Sequence, residues 1–373
     1  MTNTSFFEHI TNQFDDVLPF VAYRKPGESH LYGFYQETDV VHYLENFEES
    51  GFAFAPFDEC QKGILIPETY AIQCEYIATD SSETVQEFIL PKEDQTDKEI
   101  HISLVQSGID EILENGLKKV VLSRKRTFPN TLTAPITIFK KLLQTYANAF
   151  VYIWYHPKVG LWLGATPETL LSVKNKRVYT MSLAGTQKYT NASNIIWGTK
   201  EIEEQQLVTD TIVSRLEPLV QEIIVGTVEN HQAGSLLHLK TAISAKFDET
   251  KVTLQSIIKA LHPTPAVCGL PVDDAKAFIL ENEHYDRSFY TGFLGELNIT
   301  RETTRSRTRR NVENLAYRSV KKSTHLFVNL RCMERTAAGT HVYVGGGITA
   351  ASIPDAEWEE TVHKLGTMGK VLF

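Results

Sequence analysis

The stretch THLFVNLRCMERTAAGTHVYVGGGITAASIPDAEWEETVHKLGTM, Thr324 to Met368, decides how this chain folds. THLFVNLRCMER and HVYVGGGI are apolar runs rich in Val, Phe and Tyr and read as adjacent strands. After them Pro354 and Asp355 suit a helix start, and few breakers follow. Strands in hairpins followed by a helix predict an antiparallel-rich α+β fold rather than a doubly wound sheet.

The same alternation extends upstream. Asp97 to Gly116 carries apolar residues at helical spacing and stops at a glycine, and LKKVVLSRKRTF turns to strand character with its Val-Val-Leu core. A helix is predicted over ITIFKKLLQTYANAF, then two strands, VYIWYHP and GLWLGATPETLLSVKN, joined by a turn at Pro157 to Gly160. A long helix is predicted over TKEIEEQQLVTDTIVSRLEPLVQEII, with a Glu-rich first turn that suits the helix dipole. Its apolar residues Ile202, Leu207, Ile212 and Leu216 are spaced mainly at helical intervals.

Composition bounds the function. The 373 residues are 42% hydrophobic and 22% charged, as expected of a globular chain. A net charge of −9 argues against a nucleic acid or an anionic membrane as the main partner. Cys60, Cys74, Cys268 and Cys332 are far apart and form no CxxC pair, so neither a disulfide framework nor a zinc site is expected. MTNTSFFEHITNQF lacks the basic start and apolar run of a signal peptide, and no stretch has the length of a membrane span, so a cytoplasmic location is expected. A single domain over 1–373 is expected, with residues 1–100 adding strands and helices to it. Arg301 to Lys322 is basic in an acidic chain and reads as a solvated surface insertion.

Candidate chemistry rests on carboxylates. GGGI is not a GxGxxG turn, and neither GxxxxGK[ST] nor HExxH occurs. What remains is Glu168 in GATPETL, Glu204 in KEIEEQQLV, Glu283 in ENEHYDR, and Glu357 and Glu360 in EWEET. On a helix Glu357, Glu360 and Lys364 share one face while Glu359 points elsewhere. That face reads either as an ordinary Glu360–Lys364 pair or as two carboxylates for a hard divalent cation.

The pieces KKVVLSRKR, GLWLGATPETLL, TMSLAGTQ, KEIEEQQLV, HLKTAI, LHPTPAVCGLP, ENEHYDRSFYTGFLGEL, LFVNLRC, VYVGGGI and SIPDAEWEETVHKLGTM occur in one order. In that order they resemble the chorismate-utilising enzymes: isochorismate, salicylate, anthranilate and aminodeoxychorismate synthases. The resemblance covers roughly residues 110 to 373 and rests on the ordered set rather than on any one motif. It implies an aminodeoxychorismate synthase-like fold of large antiparallel-rich sheets flanked by helices, in one domain.

The resemblance also implies roles. Glu168 is expected to protonate the departing C4 hydroxyl of chorismate, and Lys119 to activate water for attack at C2. Glu204 and Glu360 are expected to ligate Mg²⁺, helped by Glu357, with the ion holding the ring carboxylate. Arg331, Tyr290 and the Gly345 amide match positions that bind the second carboxylate, and Lys364 lies near substrate or metal ligands. Gly346 stands where an alanine is common. Gly185, Thr186, His238 and Thr241 are expected to shape the ring site, with Ala266, Val267 and Tyr343 separating hydration from a later elimination.

Lysine at position 119 points to a hydrating member: Mg²⁺-dependent conversion of chorismate to isochorismate, which feeds menaquinone and siderophore synthesis. The alternative is a salicylate synthase; aminating synthases and a non-catalytic chorismate binder rank lower. The expected partner is chorismate alone, with no nucleic acid, membrane or glutaminase subunit, and a monomer is expected. One departure touches the metal motif, where many members have Glu-His and this chain has Glu204-Gln205.

Overall fold

The computed structural model describes residues 1–76, 91, 93–129, 133–188, 195–233, 236–303 and 319–372. Its central strands are buried on both faces. In Phe150–His156, Phe150, Tyr152 and Trp154 point into an aromatic layer, whereas Val151 and Ile153 point into a second apolar layer. Phe20–Arg24 divides in the same way, with Val21 and Tyr23 on one side and Phe20 and Ala22 on the other. Successive side chains of a strand face opposite ways, so a strand between two apolar layers reads as an unbroken hydrophobic run.

Among the described residues two nine-stranded sheets result. The first runs, edge to edge, Gly269–Leu270, Lys119–Phe128, Gly339–Ile348, Cys332–Thr336, Gly160–Thr166, Phe150–His156, Phe20–Arg24, His30–Tyr35 and Tyr70–Glu75. The second runs Glu222–Ala233, Leu236–Lys246, Arg177–Lys188, Thr169–Lys174, Ser319–Val328, Phe293–Thr303, Gly51–Ala55, Ile64–Pro67 and His42–Tyr43. Each pairing is antiparallel, from Phe20↔Tyr35 in the first sheet to Phe293↔Ala55 in the second. Strands from the first hundred residues enter both sheets.

The sheets pack face to face. Phe150 of the first stacks on Phe327 of the second with ring centroids 4.2 Å apart, and Phe54 packs edge-on against Trp154 at 5.0 Å. Helices cover the outer faces: Asn3–Asp15, Pro135–Thr145 and Pro354–Leu372 on the first sheet, Thr199–Leu216 and Leu254–Leu261 on the second. Gln95–Glu114 and Val272–Asn282 close the end beside Val120 and Leu122. Among the described residues no helix is long and apolar enough to cross a membrane.

Four boundaries differ from the sequence expectations. The helix expected over 136–150 is Pro135–Thr145, and Phe150 already belongs to a strand. The long helix stops at Leu216, because Pro218 cannot donate to the helical ladder, and Glu222 onward becomes a sheet edge. GLWLGATPETLLSVKN is two strands, broken at Pro167, that lie in different sheets. The basic segment begins and ends as strand, with Arg301 opposite Lys321 and Thr303 opposite Ser319; residues 304–318 lie outside the described residues.

Candidate active site

Two points where the chain changes sheet build the site. At Pro167–Glu168 it leaves Gly160–Thr166 for Thr169–Lys174, and at residues 329–331 it returns from Ser319–Val328 to Cys332–Thr336. The crossings are laced together. The Val328 amide donates to the Glu168 carbonyl at 3.0 Å, and the Ala165 amide donates to the Arg331 carbonyl at 3.0 Å. Arg331 holds a positive φ of 48°, which turns its side chain out of the strand path. Glu168 and Arg331 therefore face one cleft of about 230 Å³.

Strand Lys119–Phe128 supplies the next wall. Its even residues Val120 and Leu122 enter the core, so Lys119 and Val121 line the cleft. Lys119 is buried, and its Nζ donates to Glu204 Oε1 at 2.6 Å. Gly347 makes room for the pair: a Cβ there would lie 2.9 Å from Lys119 Cε and 3.6 Å from Glu204 Oε1. A side chain here would push the end of Lys119 out of its place.

Glu168 is buried opposite, and burial raises its carboxyl to about 7, against smaller lowering effects from Thr264 and Lys119. The Thr264 hydroxyl donates to its Oε1 at 3.4 Å. Near neutral pH this carboxyl holds a proton much of the time, as a general acid requires.

The helix Pro354–Leu372 brings Glu357, Glu360 and Lys364 to the cleft. Lys364 Nζ donates to the Gly345 carbonyl at 2.9 Å and pairs with Glu360 Oε1 at 2.5 Å, so the ordinary ion pair is present. Around Gly346 a Cβ would meet Glu357 Oε2 at 3.3 Å and Glu360 Oε1 at 3.9 Å. Glu359 does not line the cleft.

His238 Nδ1 lies 3.1 Å from both the Gly185 carbonyl and the Thr186 hydroxyl, and burial lowers its pKa to about 4, leaving the ring neutral. Tyr290 stacks on Tyr343 with ring centroids 5.3 Å apart, and both line the cleft with Ala266 and Val267.

One expected residue falls outside. Thr241 is three positions from His238 on one strand and so faces the other way, under the helix Thr199–Leu216. There its hydroxyl accepts from Gln205 Nε2 at 2.7 Å, in a buried network with Ser182 and Thr209. This is what Gln205 does in place of histidine. Glu283 is likewise structural, accepting from the Ser123 amide at 2.7 Å and from Arg287.

The sequence reading missed Glu201, Leu183 and Gly347, all of which line the cleft. Glu201 stands three residues before Glu204, and that i,i+3 spacing could have found it. Among the described residues, five carboxylates, Glu168, Glu201, Glu204, Glu357 and Glu360, thus share the cleft with three cations, Lys119, Arg331 and Lys364.

The donor set fits Mg²⁺ in kind: hard carboxylate oxygens converge on Gly346 and Gly347 from two helices. Among the described residues no three such side chains are gathered within reach of one ion. Mg²⁺ commonly takes only one or two protein carboxylates and fills its octahedron with water and substrate.

The family model described as chorismate binding enzyme matches residues 63–303, and a second of that description matches residues 315–370. The chain is 28% identical over 282 residues to isochorismate synthase DhbC of Bacillus subtilis, covering 71% of this chain and 65% of that protein, which is under two thirds of its length. It is 30% identical over 277 residues to a putative isochorismate synthase MenF of Mycobacterium tuberculosis, covering 68% of each. Among solved structures, a putative 2,3-dihydroxybenzoate-specific isochorismate synthase from Bacillus anthracis superposes with a TM-score of 0.76 at 21% identity over 98% of this chain and 99% of that one. The menaquinone-specific isochorismate synthase of Escherichia coli gives 0.74 at 19% identity over 95% and 89%. At these identities the structural likeness is one of fold.

Proposed function

The chain belongs to the chorismate-binding enzymes, and from that premise we propose that it is a Mg²⁺-dependent isochorismate synthase. The observation that carries the reading is one cleft holding a buried lysine, Lys119, and a buried carboxyl raised to about 7, Glu168. In this reading water adds to C2 as Lys119 takes its proton. The ring double bonds shift, the C4–O bond breaks, and Glu168 gives its proton to the departing hydroxyl. Water enters and water leaves, so the net change is an isomerisation.

The other residues bind. Arg331 and Tyr290, with the Gly345 amide, receive the enolpyruvyl carboxylate, Arg through its planar donor fork. Glu204 and Glu360, with Glu357, would hold Mg²⁺, which when bound neutralises the carboxylate lining and clamps the ring carboxylate. Gly185, Thr186, Gly346 and the neutral His238 shape the wall beside the ring. Lys364 orients the carboxylate face through Glu360 and the Gly345 carbonyl.

Incubation of the purified protein with chorismate and MgCl₂, followed by product chromatography, tests the proposal. Isochorismate as the main product is expected. Salicylate plus pyruvate would replace it with a salicylate synthase, and anthranilate or aminodeoxychorismate on adding ammonium would refute the role of Lys119.

A further inference from the structure

Arg124 lies on the strand that carries Lys119, but on its opposite face, directed at the C-terminal helix. Its Nε donates to Thr361 Oγ1 at 2.7 Å, and its guanidinium carbon sits 3.9 Å from the centre of the Trp358 ring. Thr361 Oγ1 in turn donates to the Trp358 carbonyl at 2.7 Å, so the three groups form one closed contact. All are buried: Arg124 is 7% exposed, Trp358 2% and Thr361 0%.

Such burial is costly. Nη1 is answered by Glu93 Oε2 at 3.1 Å, but among the described residues Nη2 has no hydrogen-bond partner. A leucine would pack a helix on a sheet without removing a guanidinium from water. What the guanidinium adds is direction, because a planar fork stacked on a ring and bonded to one hydroxyl permits only one rotation of the helix. Trp358 and Thr361 each directly follow a carboxylate of the cleft, Glu357 and Glu360. Their rotation about the helix axis fixes where those carboxylates point.

A second tie lies on the neighbouring strand. Arg124 stands opposite Val344, and Lys364 Nζ donates to the carbonyl of the next residue, Gly345. The helix is therefore anchored to both strands that floor the cleft.

We infer that Arg124 is a positioning residue for the cation site, setting the rotation of helix Pro354–Leu372 so that Glu357 and Glu360 face Gly346. This rests on the reading of those two carboxylates as Mg²⁺ ligands. Groups that orient a metal's ligands are typically worth about 10- to 100-fold in affinity.

Calorimetric titration of the purified protein with MgCl₂ tests it, using the wild type, Arg124→Met, Thr361→Val, and Arg126→Met as control. Arg126 lies two residues along the same strand and pairs with Asp97 of helix Gln95–Glu114. Expected are Mg²⁺ binding weakened roughly 10-fold or more in Arg124→Met, a smaller loss in Thr361→Val, and wild-type binding in Arg126→Met. In turnover assays the apparent Mg²⁺ constant rises while kcat recovers at saturating Mg²⁺, a split that general destabilisation does not produce. Wild-type Mg²⁺ affinity in a folded Arg124→Met overturns the inference. If that variant does not fold, unchanged affinity in Thr361→Val overturns it. A wild type that binds Mg²⁺, with the expected loss in the variants, but does not convert chorismate would remove the proposed function and leave the positioning role standing. A wild type that binds no Mg²⁺ removes both.

Discussion

Lys119 Nζ and Glu204 Oε1 lie 2.6 Å apart inside the cleft, joining the first strand of the site to a helix 85 residues later in sequence. The pair places the proposed base against a proposed metal ligand, with Gly347 leaving the space for both.

Lys119→Ala is expected to lower kcat by about 10²- to 10⁴-fold, the range of a lost general base, while chorismate still binds. Steady-state kinetics with a separate calorimetric measurement of chorismate binding checks this. A near wild-type rate would take Lys119 out of the chemistry.

Glu168→Gln should cost a similar factor, and the wild-type rate should decline as pH rises past about 7, where the acid loses its proton. Stability should follow the same group. Its folded value of about 7 exceeds the ordinary 4.5, so the stabilisation is complete below 4.5 and lost as pH rises through 7. A shift of this size corresponds to something on the order of 3 kcal/mol. Thermal melts at about pH 5 and pH 8 should show the wild type losing more Tm than Glu168→Gln; equal losses would mean that Glu168 is not buried as described.

Chelation should abolish turnover and MgCl₂ should restore it. In Glu360→Ala, rising MgCl₂ should fail to saturate activity. An unchanged Mg²⁺ curve would take Glu360 out of the cation site and leave it its pair with Lys364.

Gly346 and Gly347 should respond differently to alanine. At Gly346 the new methyl would stand 3.3 Å from a carboxylate oxygen that can shift slightly, and activity should persist. At Gly347 it would press on Lys119 Cε at 2.9 Å, displacing the base and lowering kcat roughly 10- to 100-fold. Kinetics on both variants with matched melting curves checks this; an active Gly347→Ala would show that Lys119 tolerates displacement.

Much of this molecule could be read from its residues. The hairpin strands around LFVNLRC and VYVGGGI, the helix at Pro354 and the antiparallel character follow from local pattern. Lys119, Glu168, Glu204, Glu357 and Glu360 are singled out by the resemblance of their motifs to the chorismate-utilising enzymes, and all five line the cleft.

Tertiary structure decided the rest. Strands such as Phe150–His156 are buried on both faces and carry no polar alternation, so the sequence alone does not reveal which side chains meet the other sheet. Nor does it reveal that GATPETL passes between sheets at Pro167, which is what buries Glu168 and raises its pKa. Thr241 turned away from the cleft and Glu201 turned into it through strand and helix phase, which is set by packing partners far along the chain. Residue type carries the chemistry locally, whereas burial and direction arise only when distant segments exclude water together.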